Sequence, residues 1–487
     1  MITLMPEEVD TENKFKEDKF RQFAWRIKKG EIGQFTYCLE NDQIYYYEDG
    51  YWRKLREKEF LALAENGLLD RNNNKSLIKF DVQRRKKVLE NYKILDFKML
   101  AEFNQFHLLN FENYMFDPIG INVLAHKPEY LSTIRIPYKY DQLASCPLWL
   151  KTIYQILEGD QLKINILQEF FGQCLTRDIK QEKSLLLLGE SRSGKSTILN
   201  TLHNMVGIEN ASTVPLKYIL NPVYTSMMIH KLINFDKDVS KKAQDFEEDF
   251  KKIVTGEEVT ANDKYDDPFT FKPFCKMVLS ANIFPKITDH SSAFYNRLIL
   301  LPCNRVFSPS EQNRNLREEL IEELPGILNW AVEGLKRLTN RGYFEEVNFM
   351  KDAINELERE NNPVYGFFED HIEIDLNGNT YIEKSDLYEK YIQWSKKNGL
   401  FTLSDIVFGK CILKKYSKET QKDSRLSSGN RPRIWKNIRY VEFKSNVIKE
   451  EISWEESPAE TSVNAVHIGQ SAEGAVQSKQ EDINWET

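Results

Sequence analysis

The sequence predicts an α/β chain: a phosphate-loop NTPase core between a mixed α+β N-terminal region and a small C-terminal winged-helix domain. Three observations carry this. An apolar run at 185–188 enters a GxxxxGK[ST] loop, and an amphipathic helix leaves it. Further apolar runs downstream each end or begin at a polar residue suited to a strand tip. Two amphipathic helices and a basic hairpin-like segment fill the stretch from 364 to 440.

Composition sets the scale. The chain has 487 residues, 41% hydrophobic and 29% charged, an ordinary globular mixture that excludes wholesale disorder. About three domains are expected at this length. No apolar run approaches the roughly 20 residues that span a bilayer. The acidic start lacks the apolar stretch of a secretory signal. No membrane contact and a cytoplasmic location are therefore expected. Cys38, Cys146, Cys174, Cys275, Cys303 and Cys411 form no CxxC pair and have no histidine at zinc-finger spacing. Reduced, partly buried thiols and no structural metal follow. The formal net charge of −7 does not announce a nucleic-acid binder, but charge is unevenly distributed.

Residues 1–95 read as an α+β domain. Residues 43–52 give two short strands about an Asp49-Gly50 turn. Its aromatics suit cross-strand pairs or, alternatively, base stacking. Residues 75–93 read as a charged helix. Residues 96–180 start strand-rich, at 111–117, 124–128 and 133–137, then turn helical from Cys146 to Thr176 as a collar. There Trp149, Leu150, Ile153, Ile156 and Leu157 recur at helical spacing, followed by Ile164, Leu167, Phe170 and Phe171, with Gly172 near the end.

Residues 181–345 carry the nucleotide chemistry. Gly189, Glu190, Ser191, Arg192, Ser193, Gly194, Lys195, Ser196 and Thr197 form the loop. The two glycines let backbone N–H groups turn inward around a phosphate, and the following helix adds partial positive charge. Lys195 is placed to reach the β- and γ-phosphates of ATP, and the Ser196 hydroxyl to hold Mg²⁺. Ile198, Leu199, Leu202 and Met205 give the helix its apolar face. Next, the apolar run at 227–235 ends in Asp236-Lys237-Asp238. One acid at such a tip suits Mg²⁺ and the other suits the attacking water, with the order of roles open.

A helix ending at Gly256 leads to two strands, near Val259 and at 269–271, around a turn holding Lys264 and Tyr265. A cation beside an aromatic on a hairpin tip suits a nucleic-acid strand. Residues 276–281 read as a buried strand ending at Asn282, an amide able to orient water. Arg297 precedes another apolar strand, where it suits a neighbouring subunit's site. Residues 311–341 read as helix, with Leu320, Ile321, Leu324, Ile327, Leu328 and Trp330 as a core face.

Residues 346–362 read as a charged linker helix and 363–445 as the winged-helix domain. In it, a helix at 386–397 packs Leu387, Tyr388, Tyr391 and Trp394 and stops at Gly399. Ser404 caps a second helix that packs Ile406, Phe408, Cys411 and Ile412. Lys414, Lys415, Lys418, Lys422, Arg425, Arg431, Arg433 and Lys436, interleaved with Tyr416 and Trp435, make the clearest basic patch, suited to duplex or fork DNA. Residues 446–487 read as an acidic disordered tail.

Taken together, GESRSGKST from Gly189, LINFDKD from Leu232, KKIVTGEEVTANDKY from Lys251, VLSANIFP from Val278 and FYNRLILLP from Phe294 resemble superfamily 3 helicases. More closely, the chain is similar to the helicase portion of the phage and plasmid primase family and the poxvirus helicase–primase, from about Gln43 to Tyr440. That resemblance implies a hexameric AAA+ ring translocating on single-stranded DNA with ATP and Mg²⁺. It gives Lys195 and Ser196 the phosphate-loop roles, Asp236 or Asp238 the Walker B role, Asn282 the sensor role and Arg297 the finger role. Lys264 falls in the segment that carries pore-facing DNA contacts. The chain departs from the pattern at Asn296, where a first arginine is common, and at Lys237, which splits the acids. No DxD pair or metal cluster of a primase precedes it, so the chain resembles the helicase half alone; a primase or origin-associated protein is a candidate partner, and the sequence leaves open whether a separate primase works with it. The expected activity is a replicative DNA helicase of a phage, virus or mobile element, acting as a homo-oligomer on single-stranded and forked DNA. The alternative is an origin-binding initiator that uses ATP as an assembly switch. A small-molecule kinase would leave the basic patch unexplained.

Overall fold

Five parallel strands form the central sheet: β1 (Ser184–Leu188), β2 (Ala211–Ser212), β3 (Ile233–Asp236), β4 (Lys276–Ala281) and β5 (Leu298–Pro302). Their order is β5-β1-β4-β3-β2. The computed structural model describes residues 19–31, 33–67, 82–239, 246–262, 267–285, 292–375, 380–416, 421–423 and 433–442. The described chain up to Val441 gathers into one unit. The acidic tail lies outside the described residues.

The strands are mostly apolar because both sheet faces are covered, with Asn234, Asp236 and Lys276 among the buried polar exceptions. Leu185, Leu187, Val278, Ile299 and Leu301 face one core, shared with the helices Pro147–Ile156, Gln161–Gln173 and Lys195–Val206. Leu186, Met277, Leu279, Leu298 and Leu300 face the other, shared with Phe250 of the helix Glu247–Thr255 and Leu357 of the helix Asn348–Asn361. Register aligns the carboxyl ends: Leu188 pairs with Ala281 on one side and Pro302 on the other. Ligands of open parallel sheets bind outside those ends.

In the N-terminal region, the strands Gln43–Glu48 and Tyr51–Leu55 pair around Asp49 and Gly50, both at positive φ (50° and 84°). That two-residue turn follows the strand twist. The aromatics serve packing. Tyr45 and Trp52 are buried, Tyr45 lies 4.7 Å from the Phe103 ring, and Trp52 Nε1 donates to Pro128 O at 2.8 Å. The charged helix is Val82–Leu95; residues 75–81 lie outside the described residues.

The connector has less strand than expected: Leu109–Asn110, Met115–Asp117 and Asn122–Leu124. Residues 133–137 contribute one bridge, Asn110 to Arg135. Asparagine side chains take the place of a ladder there, a competition these residues win in turns. Asn104 exchanges two 2.8 Å bonds with Thr133, and Asn113 Oδ1 accepts from Tyr140 N at 2.9 Å.

The collar forms as expected, with Asp160 capping Gln161–Gln173. That helix lies against Leu324–Arg341 with backbones nearly touching. A Cβ at Gly172 would meet Ala331 O at 2.4 Å, and one at Gly334 would meet Gln168 O at 2.3 Å. Glu169, buried between them, accepts from Arg337 Nε at 2.6 Å and from Arg341. The expected single helix over 311–341 is two, Leu316–Glu322 and Leu324–Arg341, because Pro325 starts a new first turn. Ile321, expected in the core, is exposed as a result.

The C-terminal part has three helices, Pro363–His371, Lys384–Lys397 and Asp405–Tyr416. Ile372–Ile374 pairs with Ile438–Tyr440, and Ile434–Lys436 lies between Tyr381–Glu383 and Gln421–Asp423, all antiparallel. Phe367, Leu387, Tyr391, Phe408, Ile412 and Trp435 form its core. Gly399, at φ 65°, follows the second helix. Ile406, expected to pack, is 70% exposed.

Candidate nucleotide site and nucleic-acid surface

β1 delivers Gly189 to the sheet edge, and the helix Lys195–Val206 begins at Gly194, whose φ is 86°. Contact as well as conformation requires these glycines. A Cβ on Gly189 would lie 2.1 Å from Cys303 O, and one on Gly194 2.6 Å from Ile156. Arg192 also has positive φ, 65°. Such turns aim successive N–H groups inward and make an anion nest at a helix N-terminus. Ser193 Oγ donates to Glu190 O at 2.8 Å. Lys195 is buried, and its Nζ donates to the carbonyls of Gly189 and Glu190, both at 2.7 Å. Burial lowers its pKa, against a smaller opposing pull from Asp238.

Beside the loop lies a cleft of about 700 Å³. Ser191–Thr197 forms its floor, and Asp238 and Asn282 stand on one side. Thr152, Gln155 and Ile156 of the collar and Phe307, Asn313 and Leu316 beyond β5 close the rest. Phe307 N donates to Arg192 O at 3.0 Å, fixing this wall to the loop. The sequence marked none of these wall residues, because ordinary side chains from distant segments make the wall.

The two acids part company. The β3–β4 pairing ends with Asp236 level with Leu279; past it Val239 N donates to Ser280 O at 3.0 Å, which leaves Asp238 at the carboxyl end of the sheet beside the loop. Asp238 is exposed to the cleft. Asp236 is buried, and its carboxylate accepts from Leu216 N at 2.9 Å and from the Asp238 backbone. Burial raises its pKa beyond what those bonds restore. Lys237 turns to the loop helix, with Nζ 3.4 Å from His203 Nδ1. Because β4 stands between β1 and β3, Asn282 at its tip reaches the loop, with Nδ2 donating to Ser191 Oγ at 3.4 Å. The Ser196 hydroxyl and the Asp238 carboxylate both line the cleft. Two hard oxygen donors beside a phosphate nest fit Mg²⁺.

Arg297 lies elsewhere. It is level with Lys183, six residues before Gly189 in the β5–β1 register. At about 3.3 Å each that is roughly 20 Å from the loop, beyond one side chain's reach. It ion-pairs with Glu182 at 3.3 Å.

The hairpin strands Val259–Ala261 and Phe269–Phe271 pair antiparallel; Lys264 and Tyr265 lie outside the described residues. Asn262 N donates to Pro222 O at 3.0 Å, tying the turn side of the strand pair to a segment that carries two exposed tyrosines. Tyr218 and Tyr224 stack at 4.9 Å with planes 9° apart, and Lys217 Nζ lies 4.6 Å from the Tyr218 ring. Sequence reading missed this pair, which has no strand or helix period. Of the basic patch, Lys414 and Arg433 are exposed and Lys436 is half-buried on the middle strand of its sheet. The Lys415 side chain, Lys418 and Arg431 lie outside the described residues. Trp435 is buried, with Lys384 Nζ 4.3 Å from its ring, so it packs the core and offers no face to a base.

No described helix is long and apolar enough to cross a membrane. Family models match three stretches: "D5 N terminal like" over 23–158, a family of unknown function (DUF5906) over 187–297, and "Poxvirus D5 protein-like" over 359–456. No curated protein matches. Among solved structures, the apo NrS-1 C-terminal region is similar with a TM-score of 0.47 at 12% identity, covering 86% of this chain and 99% of that one. Its A form gives 0.46 at 13%, covering 85% and 98%. With D5-type matches on both sides of the phosphate loop, the chain fits the phage and viral primase–helicase family.

Proposed function

We propose that this chain is an ATP-dependent replicative DNA helicase that works as a ring, probing one strand with the 259–271 hairpin. The observation that carries the reading is the split site. Lys195, Ser196, Asp238 and Asn282 meet at one cleft, whereas Arg297 stands roughly 20 Å away on the same sheet. A protomer that holds the loop but displays its arginine elsewhere suits assembly in which each arginine completes a neighbour's cleft. The strand order, with β4 between β1 and β3, suits an AAA+ core, and the three-helix C-terminal part with its antiparallel strands suits a winged helix.

In the cleft, Lys195 and the loop N–H groups bind the phosphates and Ser196 and Asp238 hold Mg²⁺, which neutralises phosphate charge when bound. Asn282 and Asp238 orient the attacking water. Tyr218, Tyr224 and Lys217 extend the strand-binding surface from the hairpin.

Strand displacement on forked duplexes of both polarities tests this, comparing wild type, Lys195→Ala and Lys264→Ala. Unwinding lost in both variants, with ATPase surviving only in Lys264→Ala, is expected. Hydrolysis and DNA binding by wild type without strand separation would favour the initiator that uses ATP as a switch.

A further inference from the structure

A second cavity, about 380 Å³, opens where the N-terminal strands meet the parallel sheet. It is built from the strand Tyr51–Leu55 with Asn41 and Tyr45 beside it, the connector near Arg135, the segment 207–210 and the turn that precedes β3. Its charge is lopsided. Arg53, Lys54, Arg135 and Lys231 line it with a single carboxylate, Glu209, on a chain whose net charge is −7. A cavity of one sign with low-dielectric walls concentrates an anionic ligand.

The cations keep water contact at the rim. Arg53 and Arg135 side chains are 36% and 30% exposed, although each also meets an acid, Glu48 at 3.2 Å and Asp49 at 3.3 Å. Lys231 Nζ donates to the Glu209 carbonyl. Burial lowers the Lys231 pKa; the Glu209 carboxylate pulls it back up by more than the nearby Lys54 charge pushes it down. One wall is apolar or aromatic: Tyr51, Met227, Ile229 and Pro137, with Met227 52% exposed and the Arg135 guanidinium 5.1 Å from the Tyr51 ring centre. His230 sits in that wall at φ 59°, with a buried Nε2 that has no hydrogen-bond partner. Strained backbone and an unanswered polar atom cluster at binding sites.

Cations beside an apolar and aromatic wall match a nucleotide unit better than a bare anion, since the base meets the wall and the phosphates meet the cations. We propose that this cavity is a second contact for single-stranded nucleic acid, with a base against Tyr51, Met227 and Ile229 and flanking phosphates on Lys54, Arg135 and Lys231. It rests on the reading of the chain as a DNA-acting protein.

The test is fluorescence anisotropy of a labelled oligo-dT with the full chain across a salt series, for wild type, Lys54→Ala/Lys231→Ala and Met227→Glu. Basal ATPase, which none of these residues touches, reports folding. Losing two phosphate contacts on a single strand flattens the log–log salt slope by about 1.4 and weakens binding roughly 25-fold at 0.1 M salt. Met227→Glu, which leaves every cation in place, should weaken binding in the same direction. Wild-type binding with unchanged slope and affinity in both variants overturns the cavity alone. Wild type that binds no oligonucleotide overturns the DNA reading and the cavity with it. Inorganic tripolyphosphate displacing oligonucleotide from wild type but not from the double variant would assign the cavity to a compact anion and overturn the proposal.

Discussion

Replacing the two acids after β3 by asparagine, one at a time, separates their roles. Asp238→Asn removes the carboxylate that follows β3 and lines the cleft beside the loop. Loss of a base or water-orienting acid lowers turnover by roughly 10² to 10⁴, with nucleotide binding retained. Asp236→Asn keeps an oxygen that accepts from Leu216 N and from the Asp238 backbone. Burial, the larger influence, holds the Asp236 pKa above its ordinary value despite those two bonds. The charge is therefore no net stabiliser. With the folded pKa above the unfolded one, stability from protonation is complete below the unfolded value and is lost as pH rises through the folded one. At neutral pH the variant forfeits charge assistance of about 1 kcal/mol and escapes a desolvation cost of similar size. Asp236→Asn should unfold in urea within about 1 kcal/mol of wild type and keep turnover within about tenfold, well short of a lost catalytic acid. Steady-state ATPase and urea unfolding of both variants check this. An inactive Asp236→Asn beside an active Asp238→Asn refutes this assignment of roles.

Arg297→Ala should bind ATP normally yet lose roughly 10³ to 10⁵ in turnover, and mixing it with Lys195→Ala should restore part of the ATPase. Mixtures no better than the sum of the inactive parents would place Arg297 outside any neighbour's cleft. Glu169→Gln removes the buried charge and one of the two oxygens that accept from Arg337 and Arg341, whose side chains are 37% and 21% exposed and so recover some hydration. A loss of roughly 2 kcal/mol in urea unfolding is expected, and a shift below a few tenths would show that the collar does not need the pair. All six cysteines are buried and free, and burial pushes Cys38, Cys146, Cys174, Cys275 and Cys303 up to about 12. A chromogenic disulfide at pH 8 should find no fast thiol in the native chain and six in guanidinium; a fast native thiol contradicts the packing.

The phosphate loop was legible because its chemistry is local: nine consecutive residues, a strand before and a helix after. The collar helices were legible from period alone. Strand order was not, since the pattern along 276–281 says that a strand is buried but not between which neighbours. Order is what brings Asn282 to Ser191 and Asp238 to the same cleft. The connector misled because alternation at 133–137 resembles a strand, while Asn104 claims Thr133. Trp435 misled because an aromatic among lysines reads the same whether it faces DNA or a core.

The close glycine joint in the collar also limits how the molecule can move. Where Gly172 meets Ala331 O and Gly334 meets Gln168 O, main chain lies on main chain. Such a joint has no rotamers to exchange, so the two helices cannot slide by repacking. They travel as a single lever. Bending is left to the chain on either side of it, at Glu158 and Gly159 before the first helix and Gly342 after the second, all in left-handed backbone. A change of angle at Glu158 and Gly159 would turn this lever against the preceding helix Pro147–Ile156, which carries Thr152 and Gln155 on the wall of the cleft.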